Sequence, residues 1–225
     1  MSNPVPVCRR CRANLSAPVI DLGATPLANA YLDSEDLAKV EPYYPLRAYL
    51  CDECQLVQLE AVASPESIFG HYAYFSSYSK TLLQHSEQFA EAASTRLGLK
   101  PGDRVMEVAS NDGYLLQFFQ RRGLKVLGIE PARNVAAAAI ERGVPTVSRF
   151  FGTEVARALK AERGQPRLLV ANNVVAHVPD LNDFLGGLKV LLAPGGMLSL
   201  EFHHLLCLVE QDRKSTRLNS SHVKR

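Results

Sequence analysis

Four of the five cysteines form two pairs of identical spacing, Cys8-x-x-Cys11 and Cys51-x-x-Cys54. Two such pairs can place four thiolates tetrahedrally around one zinc ion, and the metal keeps the sulfurs deprotonated. Because four protein ligands leave no coordination position open, the pattern predicts a structural zinc site, with a small domain folded between the pairs. The alternative is two unrelated buried or redox pairs. Cys207 stands alone and is expected to be a small core residue.

A second group of candidates lies in the stretch RVMEVASNDGYLL, which begins at Arg104. Ala109, Asn111 and Gly113 occupy positions where nucleotide-binding turns often carry glycine, ahead of a predicted helix whose free N–H groups would face a ligand. Glu107 would repel phosphates, but it suits a ligand that carries an amine and a sulfonium. Only one of the three turn positions is glycine, so an ordinary strand-to-helix turn is the alternative.

Glu130 closes the next apolar segment, LGIEP, 17 residues after Gly113, and is followed by Pro131. A carboxylate at this point can accept hydrogen bonds from both hydroxyls of a ribose. A pyrophosphate would require a turn richer in glycine. The combination of Glu107 and Glu130 therefore favours S-adenosylmethionine over a dinucleotide. The alternative for Glu130 is a solvated acid at the end of a strand.

Polar residues also follow the fourth apolar segment of this series, where Asn172 and Asn173 precede His177. They would lie at the carboxyl end of a parallel sheet, where open α/β proteins hold ligands. His177 can act as an acid, a base or a hydrogen-bond donor, or it can simply cap the next helix. Upstream, the cluster YAYFSSYS (72–79) offers phenols, particularly Tyr74, that can bind a carbonyl or sugar oxygen, with core packing as the alternative.

The elements that must position these residues alternate between apolar strands and helices after residue 101. Continuously apolar strands separated by helices predict a doubly wound parallel α/β sheet. Predicted strands cover 104–108, 125–129, 145–148, 167–171 and 197–202, and predicted helices cover 113–122, 132–142, 153–163 and 180–192. Upstream, predicted strands over 18–22, 43–50 and 56–59 precede a predicted helix over 80–97 that stops at Gly98.

Length and composition define the class of protein. The chain has 225 residues, of which 47% are hydrophobic and 21% charged, as in ordinary globular proteins. No apolar run could cross a membrane or serve as a signal peptide, so we expect a cytoplasmic protein with no membrane partner. The net charge of +2 depends on residues 213–225, which carry five basic residues and no acid. The rest carries 20 basic and 23 acidic residues, a net charge of −3 that gives no surplus for binding nucleic acid.

Taken together, these blocks resemble the sugar C-methyltransferases of deoxysugar pathways, which have a small zinc-binding N-terminal domain, a class I methyltransferase domain and a C-terminal domain. The resemblance covers residues 8–210 in order. It is carried by both cysteine pairs and by LGATPLANAYL, QLVQL, YAYFSSYS, EVASNDGYLLQFF, LGIEPARNVA, RFFG, ANNVVAHVPDLNDF and PGGMLSLEF. It implies a Rossmann-like parallel sheet preceded by a zinc-binding domain, with S-adenosylmethionine and structural zinc as cofactors.

The activity implied by this resemblance is transfer of a methyl group from S-adenosylmethionine to a carbon beside the ketone of a nucleotide-linked 4-keto-6-deoxysugar. A base removes the proton alpha to the carbonyl, and the enolate attacks the methyl group in line. The implied cofactor-binding residues are Glu107, Ala109, Asn111, Gly113, Glu130, Pro131, Asn172 and Asn173, and the implied catalytic residues at the substrate are Tyr74 and His177.

The chain departs from that family near its C-terminus. Family members continue into a Tyr-x-Glu-His motif that carries the proposed base, whereas here the resemblance stops near Glu210, and His203 stands where proline is usual. The segment RKSTRLNSSHVKR resembles foreign read-through, so we expect a truncated, inactive fragment whose sheet is incomplete at its C-terminal edge. The expected divisions are a zinc-binding domain (1–66), a connecting aromatic segment and helix (67–100), a cofactor-binding core (101–212) and a disordered tail (213–225).

Parts of the sequence are also compatible with three other functions. A zinc-ribbon module that binds nucleic acid through a non-catalytic methyltransferase fold is supported only by Arg9, Arg10 and Arg12, and the charge of −3 outside the tail argues against it. A nucleic-acid base methyltransferase is disfavoured because ANNVVAH lacks the Asn/Asp-Pro-Pro-aromatic motif. A Rossmann dehydrogenase is the third alternative. The resemblance thus implies a nucleotide sugar as the partner, and the charge outside the tail predicts no nucleic acid.

Overall fold

The computed structural model describes residues 5–28 and 30–211. The N-terminal part of the described chain contains a small antiparallel sheet. Its strands are β1 (Ile20–Thr25), β2 (Tyr44–Leu50) and β3 (Val57–Leu59), in that spatial order. Cys8, Leu15, Tyr49 and Cys51 form its buried cluster. A sheet of this size buries little apolar surface, so its stability depends on a link between the cysteines, such as a shared metal ion.

Two helices connect this sheet to the rest of the chain. Helix α1 (Pro65–Phe69) is short, and α2 (Lys80–Leu97) spans the residues predicted for it. The Ser79 hydroxyl accepts a hydrogen bond from the backbone N–H of Leu82 at the start of α2, and Gly98 ends the helix with a left-handed φ of 55°. The aromatic cluster between the two helices contains a 3-10 turn over Ser76–Tyr78.

The second half of the described chain alternates strands and helices. The strands are β4 (Arg104–Val108), β5 (Lys125–Ile129), β6 (Thr146–Val147), β7 (Leu168–Asn172) and β8 (Met197–Glu201), paired in parallel in the order β6-β5-β4-β7-β8. The helices are α3 (Leu116–Gln120), α4 (Arg133–Glu141), α5 (Thr153–Arg163), α6 (Leu181–Leu191) and α7 (Leu205–Gln211). This arrangement confirms the predicted α/β fold with a parallel sheet.

Strand alternation divides the core between the two faces of the parallel sheet. On central strand β4, Val105 faces a layer that includes α2 and α3, whereas Met106 and Val108 face α5 and α6. Both faces of the central strands are therefore covered, which explains their uninterrupted apolar sequence. The same alternation directs Glu107 toward the layer of α2 and α3, where it is fully buried.

Two predicted elements have only about half their expected length in the structure, and the bounds of the others shift by at most three residues. The helix expected from residue 113 begins only at Leu116, because Gly113 has a φ of 78° and the residues before Leu116 form turns. The strand expected over 145–148 is reduced to Thr146–Val147, which pairs only with β5. Strand β8 pairs with β7 and has no second partner in the described part of the chain. The predicted tail, 213–225, lies outside the described residues.

Within the ranges 5–28 and 30–211, no helix is long and apolar enough to span a membrane.

Close packing of α5 and α6 depends on Gly187. A Cβ at this position would lie 2.9 Å from the backbone carbon of Gly152, whereas a Cβ at Gly186 would meet only the Thr153 hydroxyl, at 3.2 Å.

We predict that Gly187→Ala lowers the free energy of unfolding by about 1–3 kcal/mol through overpacking against backbone. Gly186→Ala, the neighbouring control, leaves it unchanged or raises it by up to about 1 kcal/mol. Urea denaturation followed by circular dichroism checks both, and equal stability of the two variants would contradict this packing.

Candidate functional site

The two cysteine pairs converge on one point. Ligand atoms of Cys8, Cys11, Cys51 and Cys54 all lie within 4.8 Å of one another, with sulfur–sulfur distances of 3.6 Å for Cys8–Cys54 and 3.5 Å for Cys11–Cys51. A tetrahedral zinc ion with Zn–S bonds of about 2.3 Å places its sulfurs roughly 3.8 Å apart. The arrangement therefore suits structural zinc, as the spacing predicts.

The environment of Cys8 favours a thiolate. Burial opposes its ionisation, but hydrogen bonds from the backbone N–H groups of Cys11 and Arg10 and from the Gln58 side chain bring its pKa down to about 6. The Gln58 amide nitrogen lies 3.3 Å from the Cys8 sulfur, and its oxygen accepts a hydrogen bond of 2.8 Å from the Arg9 N–H. Gln58 is itself buried, so it orients a metal ligand from the second layer of the site.

A cavity of about 690 Å³ opens at the carboxyl ends of the parallel strands. This volume lies within the usual range for small-molecule sites. Its walls come from the strand ends, the aromatic cluster, α2 and the loop after β7. Predicted site residues in the lining are Tyr74, Ala109, Asn111, Glu130, Pro131, Asn172, Asn173 and His177.

The Glu130 carboxylate connects the residues that follow β4 and β5. One oxygen accepts a hydrogen bond of 2.9 Å from the backbone N–H of Asn111, and the other accepts one of 2.9 Å from the N–H of Ala132. Burial raises the pKa of Glu130, although these two hydrogen bonds counteract the shift. The turn after β4 is correspondingly tight, since Ala109 and Asn111 have φ values of 57° and 49°.

The side chain of Asn111 bonds the backbone of the aromatic cluster. Its oxygen accepts a hydrogen bond of 2.8 Å from the backbone N–H of Ser76, and its nitrogen donates one of 3.1 Å to the carbonyl of Tyr74. The adjacent Asp112 has a fully buried carboxylate that contacts Ser77 and forms an ion pair with Arg142. The turn after β4 therefore fixes the segment that carries Tyr74.

Two predicted cofactor residues lie outside the cavity lining. Glu107 is fully buried beside the Tyr114 phenol because odd-numbered residues of β4 face the layer of α2 and α3. Burial raises the pKa of Glu107 well above the ordinary value, and the neighbouring Tyr114 phenol counteracts this shift. Gly113 serves packing, since a Cβ there would lie 2.9 Å from the Val144 side chain.

The loop after β7 forms another wall of the cavity. The Asn173 N–H donates to the Glu201 carbonyl at 2.7 Å, and its side-chain nitrogen donates to the Glu201 carboxylate at 2.9 Å. His177 packs against the Phe69 ring with centroids 5.7 Å apart. Burial, followed by the nearby His203 and Arg9, lowers the pKa of His177, so its imidazole is neutral at neutral pH.

Sequence reasoning missed Tyr114, Asp112 and Glu201. Tyr114 lines the cavity, and burial together with the Glu107 carboxylate raises its pKa. Asp112 and Tyr114 flank Gly113 within the quoted motif, so the position of the turn could have drawn attention to them. Glu201 is brought to the site only by the pairing of β8 with β7, which a linear pattern does not reveal.

Comparison with known protein families finds two matches along the chain. Residues 8–69 match a family model described as "Putative zinc binding domain", and residues 82–222 match one described as a methyltransferase domain. The second match covers more than half of the chain. It extends ten residues into the segment expected to be foreign.

Curated relatives agree with these matches. The C-methyltransferase NovU of Streptomyces niveus is 36% identical over 213 residues, which are 95% of this chain and 51% of that protein. A ubiquinone biosynthesis O-methyltransferase of Bradyrhizobium sp. (strain ORS 278) is 31% identical over 113 residues, 48% of this chain and 43% of that protein. The chain thus spans about half the length of the curated relatives that it matches.

Among solved structures, the PH0226 protein of Pyrococcus horikoshii OT3 has a similar fold. Its TM-score is 0.50 at 17% sequence identity, and the match covers 65% of this chain and 66% of that one. At this level of identity the likeness concerns the fold alone.

We predict that Gln58→Leu weakens zinc affinity by about 10–100-fold while the purified protein still holds one zinc per chain, because the four thiolates remain and only their orientation is lost. Competition with a chromophoric chelator measures the affinity. Gln88→Leu, which changes an exposed glutamine of α2, is the control and keeps the wild-type affinity. Equal affinity of all three proteins would contradict the role of Gln58.

For the turn after β4, we predict that Asn111→Gly speeds amide hydrogen exchange at Ser76, whose N–H donates to the Asn111 side chain. Glycine keeps the left-handed φ but loses both side-chain hydrogen bonds, each of which contributes about 0.5–1.5 kcal/mol. Ala109→Gly is the matched control, since it relieves a left-handed alanine and removes no hydrogen bond. Exchange that is equally fast in both variants would show that Asn111 does not hold the segment.

Proposed function

This chain belongs to the methyltransferase-domain family, and from that premise we propose that it binds S-adenosylmethionine and takes part in methylation of a carbon atom in a nucleotide-linked 4-keto-6-deoxysugar. The observation that carries the proposal is the Glu130 carboxylate, which stands at the end of the second parallel strand and lines a 690 Å³ cavity. The similarity to a protein named as a C-methyltransferase over 95% of the chain supports carbon as the acceptor atom. The sugar follows from the resemblance of the sequence blocks.

The charge of the lining fits a cationic donor. Its acidic residues outnumber the single arginine, Arg149, and no lysine is among the described lining residues. Such a wall suits the ammonium and the sulfonium of the donor. The acidic lining residues are Glu66, Glu130, Asp180, Asp183 and Glu201. When bound, S-adenosylmethionine supplies an electrophilic methyl group.

Glu130 is the residue we assign to the ribose. Each of its oxygens accepts one backbone hydrogen bond, which leaves a lone pair on each for a further donor. The two N–H donors also hold the carboxylate in place before a ligand arrives. Asn172 and Asn173, at the end of β7, are assigned to the sulfonium end of the donor.

His177 and Tyr74 are assigned to the sugar. Both line the cavity, on walls formed by different segments of the chain. A neutral imidazole at His177 can hold or receive a proton at the substrate, and the Tyr74 phenol can donate a hydrogen bond to the keto oxygen as negative charge develops there. Tyr74 is exposed over 51% of its surface, so a substrate can reach it.

The proposal is tested by calorimetric titration with S-adenosylhomocysteine. We expect Glu130→Gln to weaken binding by about 10–100-fold, the loss expected for charge-assisted hydrogen bonds. Glu141→Gln, which removes an exposed acid at the end of α4, is the control and leaves the affinity unchanged.

The pH dependence supplies a second signature. Because burial raises the pKa of Glu130, the carboxylate is protonated on acidification at a higher pH than an ordinary glutamate. Binding should therefore weaken as the pH falls through that raised pKa, and Glu130→Gln should remove this dependence. No binding to wild type, or the same affinity in Glu130→Gln, would overturn the proposal.

A further inference from the structure

The first cysteine pair reaches across to the wall of the cavity. We define the first knuckle as residues 8–12 and the His177 loop as residues 173–182. The Arg9 guanidinium donates to the Val178 carbonyl at 3.1 Å, and Arg12 forms an ion pair of 2.8 Å with Asp180. A third bond of 2.7 Å runs from the Asn182 side chain to the Arg10 carbonyl. Three residues of the knuckle thus contact three residues of the loop.

The position of the knuckle depends on the cysteine cluster. Arg9 directly follows the ligand Cys8, and the buried Gln58 links the two, accepting from the Arg9 N–H and contacting the Cys8 sulfur. The Arg9 side chain is partly buried, and its Nε lacks a hydrogen-bond partner among the described residues. A half-buried guanidinium that donates to one carbonyl restricts the position of that carbonyl more than an exposed guanidinium does.

The His177 loop forms part of the cavity wall. His177, Val178, Pro179 and Asp180 all line the cavity. Asp180 also caps α6, since its second oxygen accepts a hydrogen bond of 3.0 Å from the Asp183 N–H. The carboxylate that caps α6 is thus the one held by Arg12, which couples the start of the helix to the knuckle.

We propose that the first knuckle is a positioning element for the His177 loop. Arg9 and Arg12 hold the loop through their side chains, and Arg10 holds it through its carbonyl. The metal held by the cysteines thereby has a second role, because it fixes the wall of a site formed by the other domain. The three arginines, which from the sequence were the only support for nucleic-acid binding, serve an internal contact.

The structure supplies a matched control within this trio. The Arg10 side chain makes no hydrogen bond or ion pair among those found in the described residues, so Arg10→Gln removes a charge and preserves the contact. Arg12 has a left-handed φ of 65°, and Arg12→Gln keeps a residue with similar backbone preferences there. Arg12→Lys retains the positive charge and serves as the conservative variant.

The experiment is hydrogen exchange on the zinc-loaded, ligand-free chain, followed at the amides of His177 and Phe184. These donate to the carbonyls of Val174 and Asp180, respectively, and so report the order of the loop. Arg12→Gln should speed exchange there by roughly two- to fivefold, as expected for an exposed ion pair, with a larger effect when Arg9→Gln is added. Arg12→Lys should restore most of the protection.

The controls separate positioning from general destabilisation and from nucleic-acid binding. Arg10→Gln should leave exchange unchanged, and all single variants should keep the wild-type zinc content and unfolding midpoint. Wild-type exchange in the Arg9→Gln, Arg12→Gln double variant would overturn the proposal. So would equal acceleration by Arg10→Gln, or salt-dependent binding of single-stranded RNA that all three arginine variants weaken alike. Because the exchange is measured without a methyl donor, its outcome is independent of the proposed function.

Discussion

The Glu130 carboxylate, which accepts hydrogen bonds from the backbone N–H groups of Asn111 and Ala132, is the interaction on which the cavity depends. It ties the turn after β4 to the end of β5, so that two strands that are neighbours in the sheet are also joined at their tips. With the backbone of Asn111 held on one side, its side chain is free to bond the backbone on either side of Phe75. The wall that carries Glu130 and the wall that carries Tyr74 are therefore connected through a single residue.

Burial gives these contacts their energetic weight. Asp112 has a fully buried carboxylate paired with Arg142, whose side chain is partly exposed, and it also bonds Ser77. Exposed to water, such contacts contribute little to stability. A buried acceptor that loses its partner is costly, however, so the Asp112 carboxylate favours the conformation in which Ser77 and Arg142 contact it. The backbone of the aromatic cluster completes the hydrogen bonding of the turn after β4.

The zinc-binding domain and the parallel sheet contribute to one site in different ways. The small sheet has a core of only a few residues, and the four converging thiols supply the constraint that apolar burial does not. The parallel sheet has two continuous apolar layers and needs no such constraint. Contact between the first knuckle and the His177 loop joins a metal-dependent part of the molecule to one that folds by burial of apolar surface.

Local patterns in the sequence determined the elements and the metal site. Cysteine spacing predicted the cluster, because two short knuckles can present their sulfurs only over a small range. Apolar periodicity placed α2 and α5 at their observed bounds and the parallel strands within a residue or two, because continuous burial leaves a clear trace in the chain. Tertiary structure alone decided which polar residues face the cavity. It withdrew Glu107 from the lining, since strand alternation turns it toward α2, and it brought Glu201 and the first-knuckle arginines to the His177 loop through long-range pairing. Such contacts join residues up to about 170 positions apart, and no local pattern records which distant partner a side chain will meet.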